Sequence, residues 1–512
     1  MKYSIPLMCT LGLTGCALDF NDDDDKEFVE FNPSMTFNVA LSGSQEVPAV
    51  MTDDTATAKI EYDEDAMEFR ATLDVSNVED FQAAHIHQGY VGTNGDVAFA
   101  FAESDSSGIY HIEATDIDQA AVDELMQGGW YVNVHTADNP SGELRGQVLS
   151  DKFTLITFEL SGHQEVPMVE TDAMGYGYAT FNQDNMALDL KVKTMNAETA
   201  SMAHIHTGRI GSNGDVLVGL SQGADASVWM TPDNTTLDQS TLEVLLSGGH
   251  YVNVHTPENP SGEIRGQILT DNMAIVTFPL SGDQSVPSVD TDASGQAYAL
   301  VNTDNYDIEV KVNTMGVDDA TAAHIHAGRV GQTGDVVVGL MQSGDDANVW
   351  MSESDASIDE STFQTLVSGG HYVNVHTPAH PSGEIRGQVL TSNYTLLTFP
   401  IDGAQQETPV TTEAMGDGYA LINMQNNELE LRAVTQGFAS TDPATMAHIH
   451  SGIAGVSGPV VVSLEQDANV WTTPANTVLE NDVLNQLLDG GHYVNVHTAL
   501  YPAGLIRGQI SE

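Results

Sequence analysis

The chain has 512 residues, with 73 Asp plus Glu against 15 Lys plus Arg and a formal net charge of −58. That balance excludes nucleic acid as a partner and excludes adhesion to anionic headgroups through charge. The acids are scattered, with no D-x-[DN]-x-[DN]-G loop. They read as solubility in a salty medium, where ions screen self-repulsion beyond about 8 Å.

The first sixteen residues carry one positive charge, Lys2, then an apolar stretch that ends in small residues. This is a secretory signal, too short to span a bilayer as a helix. Both cysteines of the chain, Cys9 and Cys16, lie here. The rest of the protein therefore has no disulfide, no thiolate metal site and no cysteine nucleophile. Leu13-Thr14-Gly15-Cys16 resembles the lipobox of bacterial lipoproteins. The resemblance implies a signal peptide over 1–15, lipid modification of Cys16 and export to a membrane-anchored state. Ala17, standing where Asp marks inner-membrane retention, points to the outer membrane of a Gram-negative bacterium. Residues 16–33, with Asp22-Asp23-Asp24-Asp25, read as an acidic extended tether.

From there one unit recurs four times. Its markers are Ala-His-Ile-His, at His85/His87, His204/His206, His324/His326 and His448/His450, and Tyr-Val-Asn-Val-His-Thr, ending on His135, His255, His376 and His497. The first histidines lie 119, 120 and 124 residues apart. Units of this length are ordinary independent domains, far longer than solenoid repeats. The boundaries are drawn at 34–150, 151–270, 271–391 and 392–512. The joints are short, so neighbouring domains are placed near contact.

Within a unit the elements follow in a fixed order. Alternating runs such as Phe158-Glu159-Leu160-Ser161-Gly162 predict half-buried strands. A proline turn follows, Gln45-Glu46-Val47-Pro48 in the first unit, then further alternating strands separated by Gly-Asp turns such as Gly95-Asp96. A short helix is predicted over Asp118 to Gln127, stopped by Gly128-Gly129, with counterparts in every unit. The fold class is all-β: four antiparallel β-sandwich or Greek-key barrel domains, each with one short helix.

Strand parity assigns faces. His85 and His87 point away from the core and Ile86 toward it. In Tyr131-Val132-Asn133-Val134-His135 the valines face the core, while Tyr131, Asn133 and His135 share the other face. Three histidines therefore converge if the two strands are neighbours. His250, His371 and His492 lie on the buried parity, and Trp130 stands at the same place in the first unit. That is a packing position, outside the ligand set.

Each unit closes on Gly-Glu-Leu/Ile-Arg-Gly-Gln: Glu143/Arg145, Glu263/Arg265, Glu384/Arg386 and, in the fourth, Leu505/Arg507. Glu and Arg two apart predict a surface ion pair. Leu505 makes the pair dispensable, whereas Arg145, Arg265, Arg386 and Arg507 recur and are candidates to hold an anion or orient a ligand.

The H-I-H and Y-V-N-V-H-T motifs, followed by P-x-G-x-I/L-R-G-Q, resemble the CHRD domain. That module was first described in the animal protein chordin and is common in bacterial secreted proteins. The resemblance runs from about Thr36 to the C-terminus, four times over, and implies a β-rich extracellular module. The Cu/Zn superoxide dismutase sandwich is similar in a more distant way. It would set His85, His87 and His135 as copper ligands and Arg145 as an anion-guiding arginine, but this chain has no bridging histidine, no His-His-Asp series and no disulfide.

Three readings stand. In the first, the domains form a surface-anchored binding or structural array without catalysis, its histidines pinning loops and its partner an extracellular protein. In the second, each domain holds one Cu or Zn on three imidazoles with an open position. In the third, redox chemistry occurs at that metal. No G-x-S-x-G, H-E-x-x-H or P-loop motif is present.

Overall fold

Buried and exposed residues alternate along the long strands as a half-buried sheet requires. In Phe153–Ser161, Ile156, Phe158 and Leu160 are buried between partly exposed neighbours. In a computed structural model, residues 31–511 are described, except Asp105, Asp318 and Ser392. The stretch read from sequence as a signal peptide, with Cys9, Cys16 and Asp22–Asp25, lies outside the described residues. Among the described residues no helix is long and apolar enough to cross a membrane.

The domains are antiparallel β barrels with Greek-key connections. The third is closed, in the order Met273–Ser281, Ser294–Asn302, Ile308–Met315, Val349–Met351, Val336–Gln342, Ala322–Ala327, His371–His376 and Ile385–Gln388. Its last strand pairs with its first at Ser281 and Arg386. The second and fourth have the same order. There the strand equivalent to Val336–Gln342 is broken in two, into Val216–Gly219 and Ser221–Gln222 in the second, so the barrel is open on that side. In the first domain the equivalent pairing, between Ser42 and Arg145, lies just past the end of Met35–Leu41, and the strands form sheets of five and four.

Each domain has its own apolar core. The isoleucine between the paired histidines anchors it: Ile86, Ile205, Ile325 and Ile449 are at most 1% exposed. Burying such a side chain contributes about 1.5–3 kcal/mol. The predicted helix forms at Gln119–Met126, with Gln239–Leu246, Glu360–Val367 and Asn481–Leu488 as its counterparts. Asp118, Asp238 and Asp359 cap the first three by accepting from a first-turn amide. Gly128, at φ +76°, supplies the left-handed residue that ends the first.

The domains do not hang loosely. Tyr178, Tyr298 and Tyr419, each about 1% exposed, reach into the preceding domain. Their hydroxyls donate to the carbonyls of Glu46, Glu165 and Ser285 in the proline turns. Apolar clusters straddle two of the joints, Ile210 and Leu269 with Tyr298 and Leu300, and Val330 with Tyr419 and Leu421. Lys191 donates to the Val91 carbonyl and Arg432 to that of Gly331. The first domain, with no described domain ahead of it, carries Lys59 where the others carry the tyrosine.

Candidate metal centre

The two histidine strands are hydrogen-bonded neighbours. His85 pairs with Asn133 and His87 with Tyr131, and the other domains keep this register. Parity then puts three rings on one side of the sheet. In each domain one nitrogen from each imidazole lies within 4.8 Å of the others: His85, His87 and His135; His204, His206 and His255; His324, His326 and His376; His448, His450 and His497.

Backbone carbonyls set the tautomers. The Nδ1–H of His87, His206, His326 and His450 donates to the carbonyl of Gly95, Gly214, Gly334 and Gly458, at 2.9–3.0 Å. The Nδ1–H of His135, His255, His376 and His497 donates at 3.1 Å to Pro140, Pro260, Pro381 and Pro502. A ring that gives its Nδ1 proton away presents a bare lone pair on Nε2. In His87, His206, His326 and His450 that Nε2 is buried and has no hydrogen-bond partner. In the last three domains Nδ1 of the first histidine meets Nε2 of the third at 3.1–3.2 Å. In the first domain His85 Nδ1 and His135 Nε2 are both unpartnered.

Burial lowers the pKa of His87 and His135 below the ordinary value and keeps these rings neutral. The same desolvation acts on His255, His376 and His497, where the first histidine of each triplet adds charge repulsion. Neutral imidazole is the form that binds metal.

Behind the second histidine stands a three-layer stack. Tyr131 lies flat on His87, with ring centroids 4.9 Å apart and 13° between the planes. The Arg145 guanidinium covers the other face of Tyr131, 3.6 Å from its centroid. All four domains repeat this, with guanidinium distances of 3.4–3.6 Å. Gly95 joins the layers, because its amide donates to the Tyr131 hydroxyl while its carbonyl holds His87. A side chain at Gly95 would collide with the Gln88 carbonyl. The Gly-Asp turn that sequence marks only as a strand separator is thus part of the site's support.

The arginines are not surface residues. Arg145, Arg265, Arg386 and Arg507 are 0–2% exposed. Arg145 donates to the carbonyls of Thr93 and Tyr90 and to Gln147 Oε1. Burial drops its pKa to about 10. The expected Glu–Arg surface pair is absent among the described residues, a correction with a plain cause. Glu143 turns to hydroxyls instead, accepting from Thr52 and Thr136, and Glu263 and Glu384 accept from Thr256 and Thr377. In the fourth domain, where Leu505 replaces the glutamate, Asp442 from another loop accepts from Thr498 at 2.6 Å. Surrounded by protein acceptors, the arginine is placed to orient Tyr131 and, through it, His87.

His250, His371 and His492 are 1–4% exposed on the core side, and Trp130 is fully buried at their position. None joins a triplet.

The fold and the fourfold site define a tandem array of β-barrel modules, each with a three-imidazole cluster. A family model for the CHRD domain matches residues 37–148, 156–268, 276–389 and 397–510, and the chain belongs to that family. It is similar to chordin of Xenopus laevis, 25% identical over 294 residues, which cover 53% of this chain and 30% of that protein. It is also similar to chordin of Danio rerio, 28% identical over 160 residues, covering 28% of this chain and 17% of that one. The chain thus spans less than a third of either relative.

Proposed function

We propose that each domain binds one copper or zinc ion on its three imidazoles, and that the chain is a four-site binding array without a catalytic step. The observation that carries this reading is the bare, buried, unpartnered Nε2 of the second histidine in all four domains. A buried acceptor without a partner costs about 1–3 kcal/mol, and a cation removes that cost. Imidazole nitrogens bind at about 2.0–2.1 Å, so two of them on one tetrahedral ion stand about 3.3 Å apart. The pair at 3.1–3.2 Å in domains two to four fits that spacing. Three ligands leave a fourth position for solvent or a bound group. The backbone carbonyls on Nδ1 are the outer partners that metal-binding histidines ordinarily have.

Export and anchoring through Cys16 to an outer membrane complete the reading, and they rest on the lipobox-like sequence alone. Four sites on one tether give avidity toward a multivalent extracellular partner, or capacity for divalent cations.

Metal analysis of the full chain after equilibration with copper or zinc should give about four ions per chain. Replacing His87, His206, His326 and His450 together by alanine should abolish retention. A bound ion at a hundred times its dissociation constant stabilises the fold by about 2.7 kcal/mol, so chelator should lower the melting temperature of the wild type alone.

One observation favours a second reading. In domains two to four the first histidine can donate Nδ1–H to the third, closing a purely structural hydrogen-bond chain. That reading expects no retained metal and no response to chelator.

A further inference from the structure

One residue on the first histidine strand differs between the four sites. Two positions before the first histidine stand Ala83, Met202, Ala322 and Met446. In register this residue lies directly opposite the third histidine: Ala83 against His135, Met202 against His255, Ala322 against His376 and Met446 against His497. Residues two apart on a strand share a face, so Met202 stands in line with His204 and His206, while Ala203 and Ile205 are buried beneath. Met446 stands likewise beside His448 and His450. Directly opposed residues hold their Cβ atoms about 4.5–5.5 Å apart, within reach of an unbranched side chain with three rotatable bonds. Both methionines are 49% exposed, so packing in the core does not account for them.

We propose that Met202 and Met446 supply a thioether as fourth ligand, so that domains two and four are Cu(I) sites of His₃Met type while domains one and three have histidines only. The inference rests on the three-histidine reading above and deepens it. A thioether is a soft ligand that selects Cu(I), whereas imidazole alone also suits Zn(II) and Cu(II). It also occupies the position that three imidazoles leave open. The chain would then carry two closed sites suited to the reduced ion and two open ones.

The test is competition of the full-length chain for Cu(I) against a chromogenic chelator, with X-ray absorption at the copper edge to read sulfur ligation. The wild type should show two tighter and two weaker sites, and sulfur scattering at a copper loading of two per chain. In Met202→Ala/Met446→Ala the tighter pair should weaken by at least about tenfold, the smaller effect known for loss of even an outer partner of a metal ligand. The sulfur signal should vanish and Zn(II) affinity should stay unchanged. Ala83→Met should create a third tight site. If copper is bound but the double variant keeps both its affinities and its spectrum, the thioether proposal fails and the three-histidine reading stands. If the wild type retains neither copper nor zinc, both fall.

Discussion

Domains one and two differ from domains three and four beside the histidine triplet, at a position set by the proline turn. The proline turn places one side chain against the Tyr-Val-Asn-Val-His asparagine, and it is Glu46, Glu165, Ser285 and Gln406 in turn. Glu46 and Glu165 are 3–4% exposed, and one carboxyl oxygen of each has no partner. Asn133 Oδ1 and Asn253 Oδ1 beside them are also unpartnered acceptors. In domain four the neutral amide resolves the same geometry, because Gln406 Nε2 donates to Asn495 Oδ1 at 2.8 Å. In domain two the direction is reversed, with Asn253 Nδ2 donating to Glu165 Oε2 at 3.4 Å. Burial raises Glu46 to about 7 and Glu165 to about 8, against the opposing pull of Arg145 and Arg265. In domain three Ser285 turns to the Glu384 carbonyl and leaves Asn374 Oδ1 unpartnered. One position thus carries an acid, a hydroxyl or an amide while the imidazole triplet above it is unchanged. The site is held by its stacked arginine and tyrosine and by the carbonyls on Nδ1.

The largest expected effect tests the part that does not vary. Arg145→Leu or Arg507→Leu leaves buried carbonyls without donors and should cost its own domain roughly 3 kcal/mol or more. Hydrogen exchange on the full chain should show this loss in the strands of the altered domain. A large loss in one half of the array and none in the other would break the comparison.

Next comes pH. A carboxyl whose folded pKa lies above its unfolded value stabilises the fold fully below about 4.5, and that contribution is lost as pH rises through the folded pKa. Between about pH 5 and 8, domain one should lose roughly 3 kcal/mol and domain two at least as much, while domains three and four lose none from this position. Exchange corrected for its intrinsic pH dependence measures the contrast. Glu46→Gln and Glu165→Gln should erase it, and Gln406→Glu should impose it on domain four. The histidines act in the other direction. Burial lowers the pKa of His87, His135 and His497, so stability present above pH 6.5 is lost as pH falls through the folded values.

The smallest effect lies at the joints. Tyr298→Phe removes the hydroxyl that donates to the Glu165 carbonyl and should cost about 1 kcal/mol. Solution scattering should show a wider spread of angles between domains two and three.

Much of the site could be read from residues alone because strands have a period of two. Parity put His85, His87 and His135 on one face, and the Trp130 equivalence set His250 aside. The Glu143–Arg145 pair could not be read correctly. The same parity holds whether the arginine faces water or lies under Tyr131, and only the turn that folds Tyr90–Gly95 over it decides. Asp442 was invisible for a similar reason, since no spacing joins it to Thr498, 56 residues away. The tethering tyrosines, Tyr178, Tyr298 and Tyr419, resemble any strand tyrosine until the preceding domain is seen against them.

By itself the sequence determined the repeat, the all-β class, the face on which the histidines lie and the packing role of the Gly-Gly-His position. These follow from local periodicity, which the chain carries wherever it goes. The closure of the barrel, the meeting of the two histidine strands, the burial of the arginine and the docking of each domain on the last were decided only by tertiary structure. Each depends on residues distant in the chain being brought within a few ångströms, and local pattern does not encode those distances.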